Sequence, residues 1–253
     1  MDRAVIFKEL RKITGKLTTK QVDAGDLIMD KLGEEVMADL VGLASVEILT
    51  TEKLQKIYPG ADNAFVSEIN TFAPKYDINT KERMAMFLAQ VIHESGGFKK
   101  LRESLAYSPD RLHAVFPNRF KTVAQAKAVT DKGQVAIGDS IYGGRMGNGT
   151  NNGDGYKYRG GGLMHTTGKT NYTIVNKALN EMGTKVDLIT NPDHIVKPSI
   201  AVESAMIFWR DNNLNKHADK KDVTTATKVI NGGSNGLKER TNLYNKAIKI
   251  LGE

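Results

Sequence analysis

Two glutamates lie close together where a strongly periodic apolar segment of the chain ends. Glu94 follows the apolar run over residues 84–92 and precedes a Gly-Gly pair, and Glu103 lies nine residues further on. Cleavage of a glycosidic bond uses such a pair of carboxyl groups: one protonates the leaving oxygen, and the other activates water or attacks the sugar directly. Ordinary helix-end glutamates in salt bridges would show the same spacing. The two residues by themselves therefore leave both interpretations open.

Their sequence neighbours predict different roles for the two carboxyl groups if they are catalytic. Glu94 is expected near a helix C-terminus, whose partial negative charge disfavours ionisation, and beside an apolar run of low dielectric. A carboxyl that stays protonated near neutral pH is what a general acid requires. Glu103 follows Lys99, Lys100 and Arg102, so it is expected to be ionised and able to act as a base.

A metal or thiol chemistry is not expected. The pair His93-Glu94 begins like a zinc-protease motif, but the second histidine of that motif would stand at position 97, which is Gly97. The chain has five scattered histidines and no cysteine, which excludes a thiol nucleophile, a thiolate zinc site and a disulfide scaffold. No metal or organic cofactor is therefore predicted.

Helical periodicity dominates the elements that would carry these residues. The stripe Met84, Phe87, Leu88 and Val91 predicts a core-facing helix over residues 81–94, with Asn79 as its N-cap and Glu82 as the capping partner. Similar patterns predict helices over residues 199–211 and 238–251.

The first 47 residues resemble a small helical hairpin. An apolar pattern breaks at Gly15, and Thr18-Thr19 opens a second helix that extends to Leu32. We expect a boundary that separates segment 1–47 from a catalytic domain over residues 48–253. The segment is either a wall-binding or targeting module or an extension packed on the main body.

A glycine-rich stretch interrupts the helical pattern. Nine of the twenty positions from 143 to 162 are glycine, which is incompatible with a regular core element. A flexible linker is one interpretation, but such a linker needs none of the aromatic and basic residues found in and beside the stretch. We favour a substrate-lining loop, in which Tyr142, Tyr156, Tyr158, Arg145 and Arg159 face a polymer.

Composition limits the partners. The chain has 253 residues, of which 40% are hydrophobic and 26% charged, and its formal net charge is +7, so anionic partners such as nucleic acid, acidic lipid or bacterial cell wall are favoured. Its most apolar stretch, residues 36–49, contains Asp39 and Glu47 and is too short and too charged to span a bilayer. The first residues carry no apolar core of a signal peptide. Lysine and arginine are spread along the chain without a nucleic-acid motif, so nucleic-acid binding is not expected.

Three segments resemble glycoside hydrolase family 19, the chitinase-like family that also supplies many bacteriophage endolysins. They are MFLAQVIHESGGFKKLRESLAY (86–107), GNGTNNGDGYKYRGGGLMHTTGKTNY (147–172) and VTTATKVINGGSNGLKERTNLY (223–244). The second is similar to the family motif R-G-R-G-x-x-Q-L-[ST]-x-x-x-N-Y, and the third to its Asn-Gly-Gly region with a downstream arginine. The resemblance covers about residues 50–251, in the family's order.

The resemblance implies a mainly α, lysozyme-like domain of two lobes with a catalytic cleft, here with a small helical N-terminal segment. It implies Glu94 as general acid, Glu103 as general base and Thr167 as the residue that holds the attacking water. Asn231 would reach sugar, and Arg240 would support the acidic centre. The residues implied in substrate binding are Tyr107, Arg159, His165, Asn171, Tyr172, Asn231 and Arg240.

Two positions depart from the family motif. Gly161 stands where the family has its second arginine, and His165-Thr166 replaces a Gln-Leu pair. His165 either takes over the hydrogen bond of that glutamine or is a surface histidine.

These features predict a phage-type endolysin that hydrolyses β-1,4 bonds of peptidoglycan with inversion. The alternatives are a chitinase acting on N-acetylglucosamine polymers and a non-catalytic wall-binding protein on the same scaffold. The expected partner is the peptidoglycan glycan strand, without nucleic acid or stable membrane insertion, and a monomer is expected. The protein would be made in the host bacterial cytoplasm and would act in the periplasm after release.

Overall fold

A computed structural model describes residues 6–8, 10–11, 17–33 and 48–253. This part of the chain is helical, with two isolated β-bridges and no strand, which confirms the mainly α prediction. None of its helices combines the length and apolarity needed to cross a membrane. The α-helices are, in chain order, α1 (Thr19–Leu32), α2 (Thr51–Ile57), α3 (Val66–Phe72), α4 (Lys81–Ser95), α5 (Pro109–Val115), α6 (Val123–Thr130), α7 (Gln134–Tyr142), α8 (Asp154–Lys157), α9 (Lys169–Glu181), α10 (Pro198–Asp211), α11 (Leu214–Asp219), α12 (Val223–Asn231) and α13 (Leu237–Leu251).

Helix α4 is the centre of the larger of two lobes. The predicted stripe is buried, and Phe87 packs edge-on against Trp209 of α10 with ring centroids 5.4 Å apart. The predicted cap is wrong by one residue: Thr80, not Asn79, accepts the backbone N–H of Arg83 at 3.2 Å. A threonine at this position satisfies a free N–H of the first turn. Helix α13 packs along α4 and completes this lobe.

A second, smaller core forms the other lobe. Its buried residues come from α5, α6, α7 and the loops before and between them: Leu105, Leu112, Phe120, Ala126, Ile137 and Ile141. The chain enters this lobe after the turn at Gly96 and Gly97, where both residues have positive φ (57° and 73°) that glycine adopts without strain. Glu94 and Glu103 therefore lie on opposite sides of the turn that leads from one lobe to the other.

The glycine-rich stretch is folded against the small lobe. Asp139 of α7 accepts backbone N–H groups of Gly153 (2.8 Å) and Gly155 (3.0 Å), and Gly155 lies directly on Gly138 with no room for a side chain. The stretch contains the one-turn helix α8. These contacts are incompatible with a flexible linker.

The N-terminal segment has an apolar cluster of its own. Thr18 caps α1 as predicted, accepting the N–H of Gln21 at 3.4 Å while Gln21 Oε1 accepts the N–H of Thr18 at 2.8 Å. Ile6, Phe7 and Met29 form a cluster separate from the cores of the two lobes. The predicted break at Gly15 and the boundary at residue 47 lie outside the described residues. The role of segment 1–47 stays a prediction.

Candidate active site

Glu94 lies on the last turn of α4 and is held by a buried arginine of α13. Arg240 Nη2 donates to Glu94 Oε1 at 2.5 Å, and Arg240 Nη1 donates to Gln90 Oε1 at 2.6 Å. Gln90 and Glu94 are four residues apart and thus share one face of α4, which lets a single guanidinium reach both. Arg240 is fully buried, whereas the Glu94 side chain is 21% exposed. The carboxyl group is therefore accessible to solvent while Arg240 holds it in a fixed position.

A second contact locks the same ends of the two helices. His93 Nδ1 lies 2.8 Å from Glu239 Oε2, and the His93 ring rests on Gly236, where a side chain would collide with it. Gly236 immediately precedes α13. The C-terminal end of α4 is thus fixed against the N-terminal end of α13 at the position of Glu94.

Glu103 is held by neutral donors from the small lobe and the glycine-rich stretch. Tyr142 OH, at the end of α7, donates to Glu103 Oε1 at 2.7 Å, and the Gly160 N–H donates to Oε2 at 3.1 Å. Burial, together with the bond to Glu103 and its negative charge, raises the pKa of Tyr142 well above its usual value. Its phenol consequently remains a hydrogen-bond donor at any working pH. Burial and the charge of Glu103 also raise the pKa of Tyr107.

His165 lies near this carboxylate, and Thr167 is bonded to the backbone of His165. A Cβ added to Gly160 would lie 3.3 Å from His165 Nδ1 and 3.4 Å from Glu103 Oε2, so imidazole and carboxylate flank the same glycine. His165 has a left-handed backbone (φ 48°), and its carbonyl accepts the hydroxyl of Thr167 at 2.8 Å. The Thr167 oxygen is thereby left as an acceptor. Whether His165 takes over the hydrogen bond of the family's glutamine or is a surface histidine stays a prediction.

Arg102 explains the glycine at position 161. The two residues form an antiparallel bridge, so their side-chain positions share one face, and the guanidinium of Arg102 occupies the space above Gly161. A Cβ there would lie 2.7 Å from Arg102 Nη1 and 2.5 Å from Tyr172 OH. Arg102 Nη1 donates to Tyr172 OH (2.8 Å), and Nη2 donates to Asp193 Oδ1 (2.7 Å). An arginine from the neighbouring segment thus fills the place that a side chain at position 161 would need.

The predicted contact of Tyr172 with sugar is wrong. The side chain is fully buried, and its hydroxyl accepts from Arg102 and donates to the carbonyl of Arg159 at 3.0 Å. No surface of the ring remains for a sugar, because the helix that carries it packs against the core. Arg240, also fully buried, contacts Glu94 and has no face toward a substrate.

The other implied binding residues are at or near the surface. Asn171 is exposed, and its Nδ2 donates to the carbonyl of Thr167 at 2.8 Å. Arg159 is half-buried and stacks on Tyr156, with its guanidinium carbon 4.0 Å from the ring centroid. Asn231 is exposed at the end of α12. Their contacts with sugar stay predictions.

Sequence reasoning missed three supporting residues: Gln90, Tyr142 and Gly160. Gln90 could have been identified from the sequence, because its i, i+4 spacing from Glu94 places both on one helix face. Tyr142 stood out as an aromatic residue beside the glycine-rich stretch, but nothing in the sequence linked it to Glu103. The backbone donor of Gly160 has no sequence signal.

A cavity of about 680 Å³ lies away from these residues, around Tyr76, Arg210 and Asn213. None of the predicted site residues lines it. Within the described part of the chain, no group of three or more histidine, aspartate or glutamate side chains is placed to hold a metal ion.

Comparison with known proteins gives two likenesses. No protein-family model matches the chain. The chain is 38% identical over 190 residues to a "glycosyl hydrolase family 19 domain-containing protein" of Haemophilus influenzae, covering 75% of this chain and 90% of that protein. Among solved structures, it is similar to chitinase C from Streptomyces griseus, with a TM-score of 0.52 and 16% identity, over 81% of this chain and 93% of the other. At that identity the second likeness concerns the fold alone.

Proposed function

The chain belongs to glycosyl hydrolase family 19, and from this premise we propose that it is a phage-type endolysin that hydrolyses β-1,4 bonds of peptidoglycan. The observation that carries the proposal is the separate support of the two glutamates: Glu94 by a buried arginine, and Glu103 by neutral donors across the Gly96-Gly97 turn. Two carboxyl groups in unlike surroundings suit the two roles of a glycosidase.

The acid step uses Glu94. Arg240 occupies Oε1, which leaves Oε2 to carry the proton toward the leaving glycosidic oxygen. As the C–O bond breaks, the proton moves to that oxygen and Glu94 becomes a carboxylate. The guanidinium of Arg240 then stabilises the charge that appears, and this stabilisation is largest late in the step.

The water step uses Glu103 and Thr167. Because the Thr167 hydroxyl donates its own hydrogen to the His165 carbonyl, its oxygen can accept a hydrogen bond from a water molecule. A water that donates one hydrogen to Glu103 and the other to Thr167 keeps a lone pair free for the anomeric carbon. Glu103 takes the proton as the C–O bond forms. Attack from the face opposite the leaving group inverts the anomeric configuration.

The substrate class rests on charge. The net charge of +7 attracts an anionic polymer, and peptidoglycan carries carboxylates on its stem peptides, whereas chitin is neutral. The proposed sequence of action is synthesis in the host cytoplasm, release, and cleavage of the wall in the periplasm. We propose that the protein works as a monomer.

Mass spectrometry of fragments released from purified peptidoglycan, run beside soluble chitin oligomers, tests this function. We expect peptidoglycan fragments with reducing ends that have gained one water, released faster at low salt than at high salt. Proton NMR should show the α-anomer as the first product. Chitin cleaved while peptidoglycan stays intact would establish a chitinase, and no cleavage of either polymer would favour a wall-binding protein without activity.

A further inference from the structure

A small-lobe cavity of about 430 Å³ lies beside the residues that hold Glu103. It is lined by one aromatic residue, two arginines, one amide and two smaller apolar residues: Val115, Phe116, Pro117, Asn118, Arg119 and Arg145. These residues end or follow α5 or belong to the glycine-rich stretch.

Two chains of contacts connect the cavity with Glu103. On one side, the Phe116 ring packs edge-on against Tyr107 with centroids 5.9 Å apart, and Tyr107 lies within the electrostatic reach of Glu103. On the other side, the backbone N–H of Arg145 donates to the Tyr142 carbonyl at 3.2 Å, and the Tyr142 hydroxyl donates to Glu103. The cavity therefore lies on the small-lobe side of Glu103.

Within the part of the chain that the structure describes, backbone carbonyls at the end of α7 hold the two arginines of the cavity. Arg119 Nη1 donates to the Ser140 carbonyl, and Arg145 Nη1 donates to the Ile141 carbonyl at 3.4 Å. Within the described residues neither has a carboxylate partner, in contrast to Arg83, which forms a bidentate pair with Asp219. Both guanidinium groups are exposed and keep most of their donors free.

We infer that this cavity binds a carboxylate substituent of the glycan strand, with Arg119 and Arg145 as its donors. The inference rests on the proposed function and sharpens it. A guanidinium can bind a carboxylate through two parallel N–H···O bonds. Because neither arginine has a carboxylate partner among the described residues, no ion pair has to be broken when the ligand binds. Two sources of carboxylate exist on the wall glycan: the stem peptide, and the lactyl group of a sugar whose peptide has been removed, because an attached peptide holds that carboxyl as an amide.

The test compares cleavage of native peptidoglycan with cleavage of the same peptidoglycan whose carboxyl groups have been converted to amides. The variant is Arg119→Gln/Arg145→Gln, and the matched control is Lys220→Gln/Lys246→Gln, which removes the same charge at exposed positions away from the cavity. The ratio of kcat/KM on the two substrates is independent of the fraction of folded enzyme.

We expect the wild type and the lysine control to prefer native peptidoglycan by about 10- to 100-fold, the worth of one or two hydrogen bonds between charged groups. The arginine variant should show a ratio near one. Peptide-free glycan strands, in which removal of the peptide frees the lactyl carboxylate, then assign the source. A preference of the wild type for these strands over their amidated form identifies the lactyl group, and the absence of a preference identifies the stem peptide.

An unchanged ratio in the arginine variant would overturn the inference and leave the endolysin proposal intact. The inference is likewise overturned if the lysine control loses the preference to the same extent, because net charge would then explain it. Failure of the wild type to cleave native peptidoglycan would overturn the proposed function and this inference together.

Discussion

The two glutamates lie in regions built on different principles. The acid region consists of Glu94, Gln90 and Arg240, carried by two long helices of the large lobe, and its donor is the charged guanidinium of a fully buried arginine. The base region consists of Glu103, Tyr142 and Gly160, carried by a loop, a helix end and the glycine-rich stretch, and its donors are neutral.

This difference separates stability from activity. A buried guanidinium that loses its carboxylate partner, or a carboxylate that loses its guanidinium, weakens the helix pair that forms the core. A carboxylate that loses one of two neutral donors at a half-buried site weakens mainly its own orientation. Loss of the residue that holds the acid should therefore reduce mainly the stability of the fold. Loss of a residue that holds the base should reduce mainly the rate of the reaction.

Substitution of the two glutamates themselves gives the largest effects. Glu94→Gln should reduce peptidoglycan hydrolysis below detection, because the amide keeps the size of the side chain but supplies no proton to the leaving oxygen. Glu103→Gln should slow kcat by about 10²–10⁴-fold, the usual contribution of a positioned acid or base. Release of reducing ends from purified peptidoglycan measures both.

Thr167→Ala serves as the graded comparison for these two variants, and it should cost less than Glu103→Gln because a hydroxyl only orients the water. If Glu103→Gln cleaves at nearly the wild-type rate and the products carry anhydro ends, Glu94 works without a second carboxylate. The distinction between an acid region and a base region would then be wrong.

The sequence predicted the acid region better than the base region for a physical reason. The stripe through Met84 and Val91 repeats at the helical period, so the helix that carries Glu94 and its buried face follow from local pattern. Glu103 depends on contacts between residues 39 to 57 positions apart, from Tyr142 and from the backbone of Gly160, which no local pattern encodes. Gly161 is the clearest case: it departs from the family motif, and only the structure shows that Arg102 occupies its space.

Removal of the charged support should reduce stability. Arg240→Met leaves Glu94 and Gln90 without their shared donor in the core, and we expect the free energy of unfolding to fall by about 3 kcal/mol, the lower range for breaking a buried pair. Urea unfolding should show a lower midpoint with an unchanged slope. The matched variant Lys246→Met, on the exposed side of the same helix, should unfold like the wild type. If Arg240→Met is as stable as the wild type, the contacts that hold Glu94 do not stabilise the fold.

Removal of the neutral support should change the reaction with little change in stability. Tyr142→Phe deletes the donor to Glu103 Oε1 and leaves the Gly160 N–H on Oε2, so kcat/KM should fall about tenfold, the worth of one hydrogen bond to a charged group. Tyr244→Phe removes a buried hydroxyl that has no partner among the described residues, and it should leave the rate unchanged. The free energy of unfolding of Tyr142→Phe should stay within about 1 kcal/mol of the wild type. A loss of stability as large as that of Arg240→Met, with an unchanged kcat/KM, would show that Tyr142 supports the small lobe and not the base.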